Sequence, residues 1–216
     1  AYGTQPGHAQ FYYPKKYGYG ELWLRMADAI KDNIQYDKPV KGIDFTTKTV
    51  ITKDDEKYKA DIIITTIPWM EFNEIMGMPA DIKQSISELK FSSIQTEYFS
   101  ENLDTPCQWI YYPNPELPYH RILVRHNFCP NSRGYWTETN SERIDMEEPN
   151  NNFKYMNKYA YPLNTIRKPE IMKKLLSWSE KRNVIGLGRW GEHQHYNSDV
   201  TVQLALDLAE RYIEES

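Results

Sequence analysis

No stretch of this chain approaches the run of about 18 apolar residues that a membrane-spanning helix needs, and its mean hydropathy is −0.74. Lys/Arg blocks are also missing: 26 basic residues against 30 acidic ones leave a formal charge of −4. Nucleic acid and anionic membranes both reward clustered positive charge, so neither is expected as a main partner. Only two cysteines occur, Cys107 and Cys129, too few for a disulfide framework and without metal-ligand spacing. That usage fits a reducing compartment, and cytoplasm is the expected location. The segment from Ala1 to Gly7 has no initiator Met, no basic start and no apolar core, so it reads as neither signal nor transit peptide. It reads instead as a chain that begins in mid-protein.

The chain is rich in flat rings. Its 216 residues include 17 Tyr, 6 Trp and 7 Phe, and 40% are apolar, which is ample for a buried core. Rings with polar tips suit either a core or a site that stacks sugars and flat cofactors.

Residues 1–19 are turn-rich, with Gly18 and Gly20 ahead of a helix over 21–34, whose Leu22, Met26 and Ile30 make one buried stripe. Residues 42–47 and 49–53 predict an exposed hairpin, and the run Ile62 to Ile67 a buried strand ending at Pro68. Pro79, Ile82, Ile86 and Leu89 mark a short helix. A meander of four strands is expected over 92–99, 107–112, 119–128 and 134–139, then a loop over 141–152. A helix over 169–181 turns Met172, Leu175, Leu176 and Ser179 inward, followed by a strand over 183–187. The last helix carries Val200, Leu204, Leu208 and Tyr212 inward, with Asn197 or Ser198 as its N-cap.

Several groupings could carry chemistry. Gly186-Leu-Gly188-Arg-Trp-Gly191 spells a dinucleotide fingerprint, but that motif needs a helix opening inside it and an acidic residue about 20 positions on. Here non-helical residues 192–197 are expected to intervene. The better reading is strand, glycine turn, loop and helix N-terminus. Such an end, at Asn197, Ser198 and Asp199, either offers N–H donors to a ligand or is simply capped. His193 and His195 would share a face of an extended strand, yet no third ligand has a recognisable spacing, so no metal site is assigned. Arg121 and Arg125 would share a strand face, about 13 Å apart at about 3.3 Å per residue. They could converge on a diphosphate or simply pair with glutamates. Tyr112 and Tyr161 each precede a proline, where the chain is held extended.

Taken in order, these segments resemble one family. The run from Tyr159 to Leu163, a helix, the run from Asn183 through Gly188, Arg189 and His195 to Asp199, and a closing amphipathic helix are similar to the C-terminal part of UDP-galactopyranose mutase. The strand Pro118-Tyr-His-Arg121-Ile and the segment from Tyr13 to Leu22 resemble further motifs of that family. Ala60 to Pro68 resembles the strand that returns to the flavin in the wider FAD-dependent amine-oxidase-like superfamily.

The resemblance implies an α+β fold: a mainly antiparallel sheet with flanking helices, plus strands and a C-terminal helix of a Rossmann-like FAD domain whose nucleotide-binding start is absent. It divides the chain into residues 1–68 completing the flavin domain, 69–160 as the antiparallel substrate domain, and 161–216 returning to the flavin domain. It implies a mutase-like isomerase that interconverts UDP-galactopyranose and UDP-galactofuranose for cell-surface polysaccharide (LPS). In that family reduced FAD attacks the anomeric carbon, displaces UDP and permits ring opening and closure.

By position, Arg121, Tyr161 and His195 correspond to groups that hold the substrate diphosphate. Gly188 and Arg189 correspond to the turn approaching the flavin, and Asn197, Ser198 and Asp199 to the helix end facing the isoalloxazine and ribityl groups. Two positions depart from the family: His195 stands where it has a tyrosine, and Asn197 where it has an aspartate. No catalytic side chain and no metal are assigned, and homo-oligomer formation is left open. The fragment by itself is expected to be inactive. The rival readings are an amine-oxidase-like oxidoreductase, in which flavin takes a hydride, and a non-catalytic module.

Overall fold

The computed structural model describes residues 12–147 and 150–214. Two compact units make up the chain, each discontinuous in sequence. The first comprises the described part of residues 1–35 with 93–157; the second comprises 36–92 with 158–216. The cuts fall at 35/36, 92/93 and 157/158, so the units do not follow the three consecutive segments expected from the sequence.

In the first unit, helix α1 (Tyr19–Ala29) runs on into a 3-10 turn at Lys31–Asn33, close to the expected 21–34. Its apolar stripe is not buried, however: no residue of α1 is, and Leu22, Met26 and Ile30 are all exposed. Spacing at every fourth residue specifies an apolar face and leaves open what covers it.

The antiparallel sheet is built from β6 (Phe91–Phe99), β7 (Trp109–Tyr111), β8 (Tyr119–Val124), β9 (Tyr135–Asn140) and β10 (Lys154–Pro162), in the order β10-β6-β9-β8-β7. The four expected strands are present, but they form no simple meander. Only β7, β8 and β9 follow one another, while β6 pairs with β9 from Ile94↔Asn140 to Phe99↔Tyr135. Strand β8 stops at Val124, because residues 125–128 wind into a single helical turn, α3 (Arg125–Phe128). Arg125 therefore does not share a strand face with Arg121, and its guanidinium lies 5.9 Å from the Tyr98 ring centroid. The expected loop over 141–152 contains a 3-10 helix, Ser141–Met146, capped by Asn140, whose side chain accepts from the Glu142 N–H.

The second unit has a four-stranded sheet in the order β3-β2-β1-β5: β1 (Val40–Asp44), β2 (Thr49–Thr52), β3 (Lys57–Lys59) and β5 (Glu74–Met76). The hairpin expected to be exposed is its middle. Ile43, Phe45, Ile51 and Thr52 are buried; Ile43 and Phe45 pack in one apolar cluster with Trp69, and the Trp178 ring lies 4.6 Å from that of Phe45. Strand β4 (Ile63–Thr65), from the apolar run, pairs in parallel with β11 (Val184–Gly186), from Ile63↔Val184 to Thr65↔Gly186. Helix α2 (Ala80–Ile86) buries Ile82 and Ile86 as expected, and helix α4 (Lys168–Glu180) buries Met172, Leu175 and Ser179 as expected, with Leu176 only partly covered and Ile171 buried in addition. Their buried apolar residues join Ile43, Phe45, Ile63, Trp69, Phe72, Ile75, Leu89 and Val184 in one apolar core. The last helix, α6 (Ser198–Glu214), buries only Leu208 of its expected stripe.

Candidate functional site

Strands β4 and β11 are short and side by side, so whatever follows them in the chain is delivered to one end of the pair. After β11 the chain makes a glycine turn and one turn of helix, α5 (Gly188–Gly191). A helical turn thus does open inside the Gly-x-Gly-x-x-Gly pattern, but it ends at Gly191, and α6 begins only at Ser198. Two of the glycines are needed for close packing. A Cβ on Gly186 would stand 2.3 Å from the Gly191 carbonyl oxygen, and one on Gly191 would stand 2.3 Å from that of Thr65. Gly188 needs its freedom for another reason, a φ of +74°. Two further bonds tie the turn down: the Leu187 N–H donates to Thr65 O at 2.9 Å, and Trp69 Nε1–H to Gly191 O at 2.7 Å.

Arg189 organises the loop that follows. Its Nε and Nη2 donate to Tyr196 O at 3.1 and 2.7 Å, and Nη1 to Ala160 O at 3.3 Å. Its guanidinium lies 5.4 Å from the Tyr161 ring centroid, and the His195 ring meets that same ring edge-on at 4.9 Å. The fold therefore brings together Tyr161 from the end of β10, Arg189 from the glycine turn and His195 from the loop. Burial, then the Arg189 and Lys168 charges, push the His195 pKa down. On the same turn as Arg189, Glu192 accepts from the Gly188 N–H at 3.0 Å, and burial raises its carboxyl pKa. Asn197, Ser198 and Asp199 are exposed at the start of α6, and the Thr201 N–H donates to Asn197 O at 3.1 Å.

His193 corrects the metal geometry considered for the two histidines. It is fully buried with φ +50°, not extended, and its Nε2 lies 3.0 Å from Lys90 O, while His195 is exposed against Tyr161. A carbonyl only accepts, so Nε2 carries the proton. Among the described residues no group of three His, Cys, Asp or Glu could hold a metal ion.

Arg121 lies in the first unit. Its Nη2 and Nε contact Glu138 Oε2 at 2.5 and 2.8 Å, and Nη1 lies 3.3 Å from the Tyr111 hydroxyl. Of the two alternatives the spacing left open, glutamate pairing is therefore present in this structure. Reading the sequence missed Lys168, a buried lysine at the start of α4, and Glu71, which accepts from Lys158 Nζ at 2.5 Å and from the Tyr159 hydroxyl. Pro169 at the second position of α4 gave a signal for the helix start, but a lysine beside it ordinarily reads as solvated.

Comparison with known proteins agrees with this architecture. A family model described as flavin containing amine oxidoreductase matches residues 3–99. A search of curated proteins by sequence finds no match. Among solved structures, reduced UDP-galactopyranose mutase aligns with a TM-score of 0.68 at 16% identity, covering 83% of this chain and 46% of its own. A CLA-producing fatty acid isomerase from P. acnes aligns with a TM-score of 0.62 at 14% identity, covering 90% and 52%. The chain thus spans about half the length of each. It therefore matches the flavin containing amine oxidoreductase family over residues 3–99 and is similar in fold to UDP-galactopyranose mutase.

Proposed function

We propose that this chain contributes to a flavoprotein isomerase that interconverts UDP-galactopyranose and UDP-galactofuranose, a supply step for surface polysaccharide such as LPS. The observation that carries the reading is the Tyr161, Arg189 and His195 cluster on a fold similar to that of the mutase. Among the described residues Arg189 donates to carbonyl oxygens and meets a ring face without a salt bridge to a carboxylate, as suits an anion-binding group. Tyr161 and His195 supply further donors. Arg121 is proposed as an independent diphosphate contact, with Glu138 fixing its guanidinium plane.

The residues present fit FAD at the glycine turn. Gly188 packs closely on the first turn of α6, where an added Cβ would meet Thr201 Cγ2 at 3.1 Å. The first-turn amides of a helix have no intrahelical acceptor, and beside them Asn197, Ser198 and Asp199 are exposed. That donor set suits a ring carbonyl and ribityl hydroxyls. The Gly188 N–H is taken by Glu192, so Gly188 and Arg189 would approach the flavin through shape and charge. When bound in reduced form, FAD supplies the nucleophile that such an isomerisation requires.

The test is to incubate the complete natural protein, with reduced FAD, with UDP-galactofuranose and measure UDP-galactopyranose by chromatography. Conversion supports the reading; unchanged substrate under conditions where a known mutase converts it removes it. A second reading, an amine-oxidase-like oxidoreductase, is favoured by the family match over residues 3–99. It predicts flavin bleaching on addition of an amine, without any dependence on UDP.

A further inference from the structure

Lys168 is placed where a lysine is costly. It opens α4, at the positive end of the helix dipole, and is only 3% exposed. Burial lowers its pKa, with no charged partner offsetting the effect. Nζ donates to Asn164 Oδ1 at 2.6 Å and Gln194 Oε1 at 3.1 Å. A methionine would fill similar space without the desolvation cost. What the ammonium secures is Gln194, the residue between the two histidines.

Gln194 is the hub of the loop. Its N–H donates to Arg189 O, and its carbonyl accepts from the Tyr196 N–H, both at 2.9 Å. The residue before it, His193, has a left-handed backbone, φ +50°, that a non-glycine residue adopts only when its surroundings hold it there. Two side-chain anchors do so: the His193 ring on Lys90 O, and Lys168 on Gln194.

We propose that Lys168, steadied by Asn164, is a positioning residue: it pins Gln194, and with it residues 192–197, so that Arg189, His195 and Tyr161 present jointly to a nucleoside diphosphate. This rests on the reading of that cluster as a substrate site. Lys168 touches no ligand itself.

The experiment titrates UDP into the complete protein and its variants, and follows the His195 ring by NMR across pH. Lys168→Met is expected to weaken UDP roughly tenfold, within the range by which supporting residues modulate a neighbouring site, while its Tm stays level or rises. The groups facing His195 are Arg189 and Lys168, with the Tyr161 ring against it and Glu192 and Tyr196 on its own loop. Removing the Lys168 charge should therefore raise the His195 pKa, and Lys168→Arg should restore both properties. If Lys168→Met does not fold, Gln194→Ala carries the test, with weakened UDP binding as the expected result. Full UDP affinity in Lys168→Met and Gln194→Ala, with a loss in His195→Ala, overturns the positioning role and leaves the substrate-site reading standing. Full affinity in His195→Ala as well overturns both.

Discussion

At Glu192 a carboxylate is held half-buried against one backbone N–H, and burial wins over that bond, so its folded pKa lies above the unfolded one. A raised carboxyl pKa means that folding favours the protonated form. That contribution is present at acid pH and is lost as pH rises through the folded value. Glu192→Gln keeps an acceptor for Gly188 without the charge, and is expected to stabilise the protein at pH 8 by about 1 kcal/mol, with little gain near pH 4. Urea denaturation at the two pH values checks this; curves that stay parallel would show that burial is not the controlling factor. Arg121 carries the opposite cost. Arg121→Ala leaves Glu138, 7% exposed, with His120 Nε2 at 3.8 Å as its remaining ion-pair partner, and should cost about 1–3 kcal/mol of stability. A loss of UDP binding in that variant counts for the substrate role only if Arg121→Lys, which keeps a charge beside Glu138, stays folded and also binds UDP less well. At this scale the sequence was informative about identity and poor on partners. Gly188, Arg189, Tyr161 and His195 could all be named from it. That Arg189 holds Ala160 O, or that Lys168 holds Gln194, depends on contacts between segments 29 and 26 residues apart, which no local pattern encodes.

Among the elements, the glycine turn leaves least room for change. Gly191→Ala would drive a Cβ into the Thr65 carbonyl oxygen at 2.3 Å and disturb the carbonyl that accepts from Trp69 Nε1. The β4 and β11 pair must then part or the turn must shift. The expected cost is about 1–3 kcal/mol, read by chemical denaturation, with an altered Trp69 emission. Near-neutral behaviour would mean that the turn relaxes freely. Helix α1 is the contrasting case. Met26 is 51% exposed and no residue of the helix is buried, so Met26→Gln should alter stability by no more than about 0.5 kcal/mol; a larger loss would show the stripe to be covered in solution. Periodicity located both α1 and α4 in the sequence, yet only α4 buries its stripe. A helical repeat reports the face a helix can bury, and the neighbouring elements decide whether it does. The same limit explains the hairpin at 42–53. Its buried side comes from Trp69 and from Trp178 of α4, which lie too far along the chain to leave a mark on the hairpin's own pattern.

For the molecule as a whole, the two units differ in what they bury. The apolar core of Ile43, Trp69, Leu175, Val184 and their neighbours belongs entirely to the second unit. In the first, buried Ile94, Ile122 and Val124 share the interior with Glu97, Thr137, Glu138 and Thr139. Glu97 is answered by Asn152 Nδ2 at 2.9 Å and by Lys154 Nζ at 3.6 Å, and Glu138 by Arg121. Ion pairs of this kind recover little beyond their own desolvation, whereas packed apolar side chains stabilise in proportion to the area they remove from water. Composition could not separate the two, because the 40% apolar content is a property of the whole chain. Native-state hydrogen exchange should therefore find the highest opening free energies at amides of the second unit, such as Ile43 and Val184, and lower ones at Ile122 and Thr137. Leu175→Ala, at a fully buried position, should cost about 2–5 kcal/mol and lower protection at Ile43 and Val184 by a comparable amount. If Ile122 and Thr137 instead outlast Ile43 and Val184 in the unsubstituted protein, the polar interior of the first unit is the more stable of the two, and its ion pairs contribute more than their burial allows.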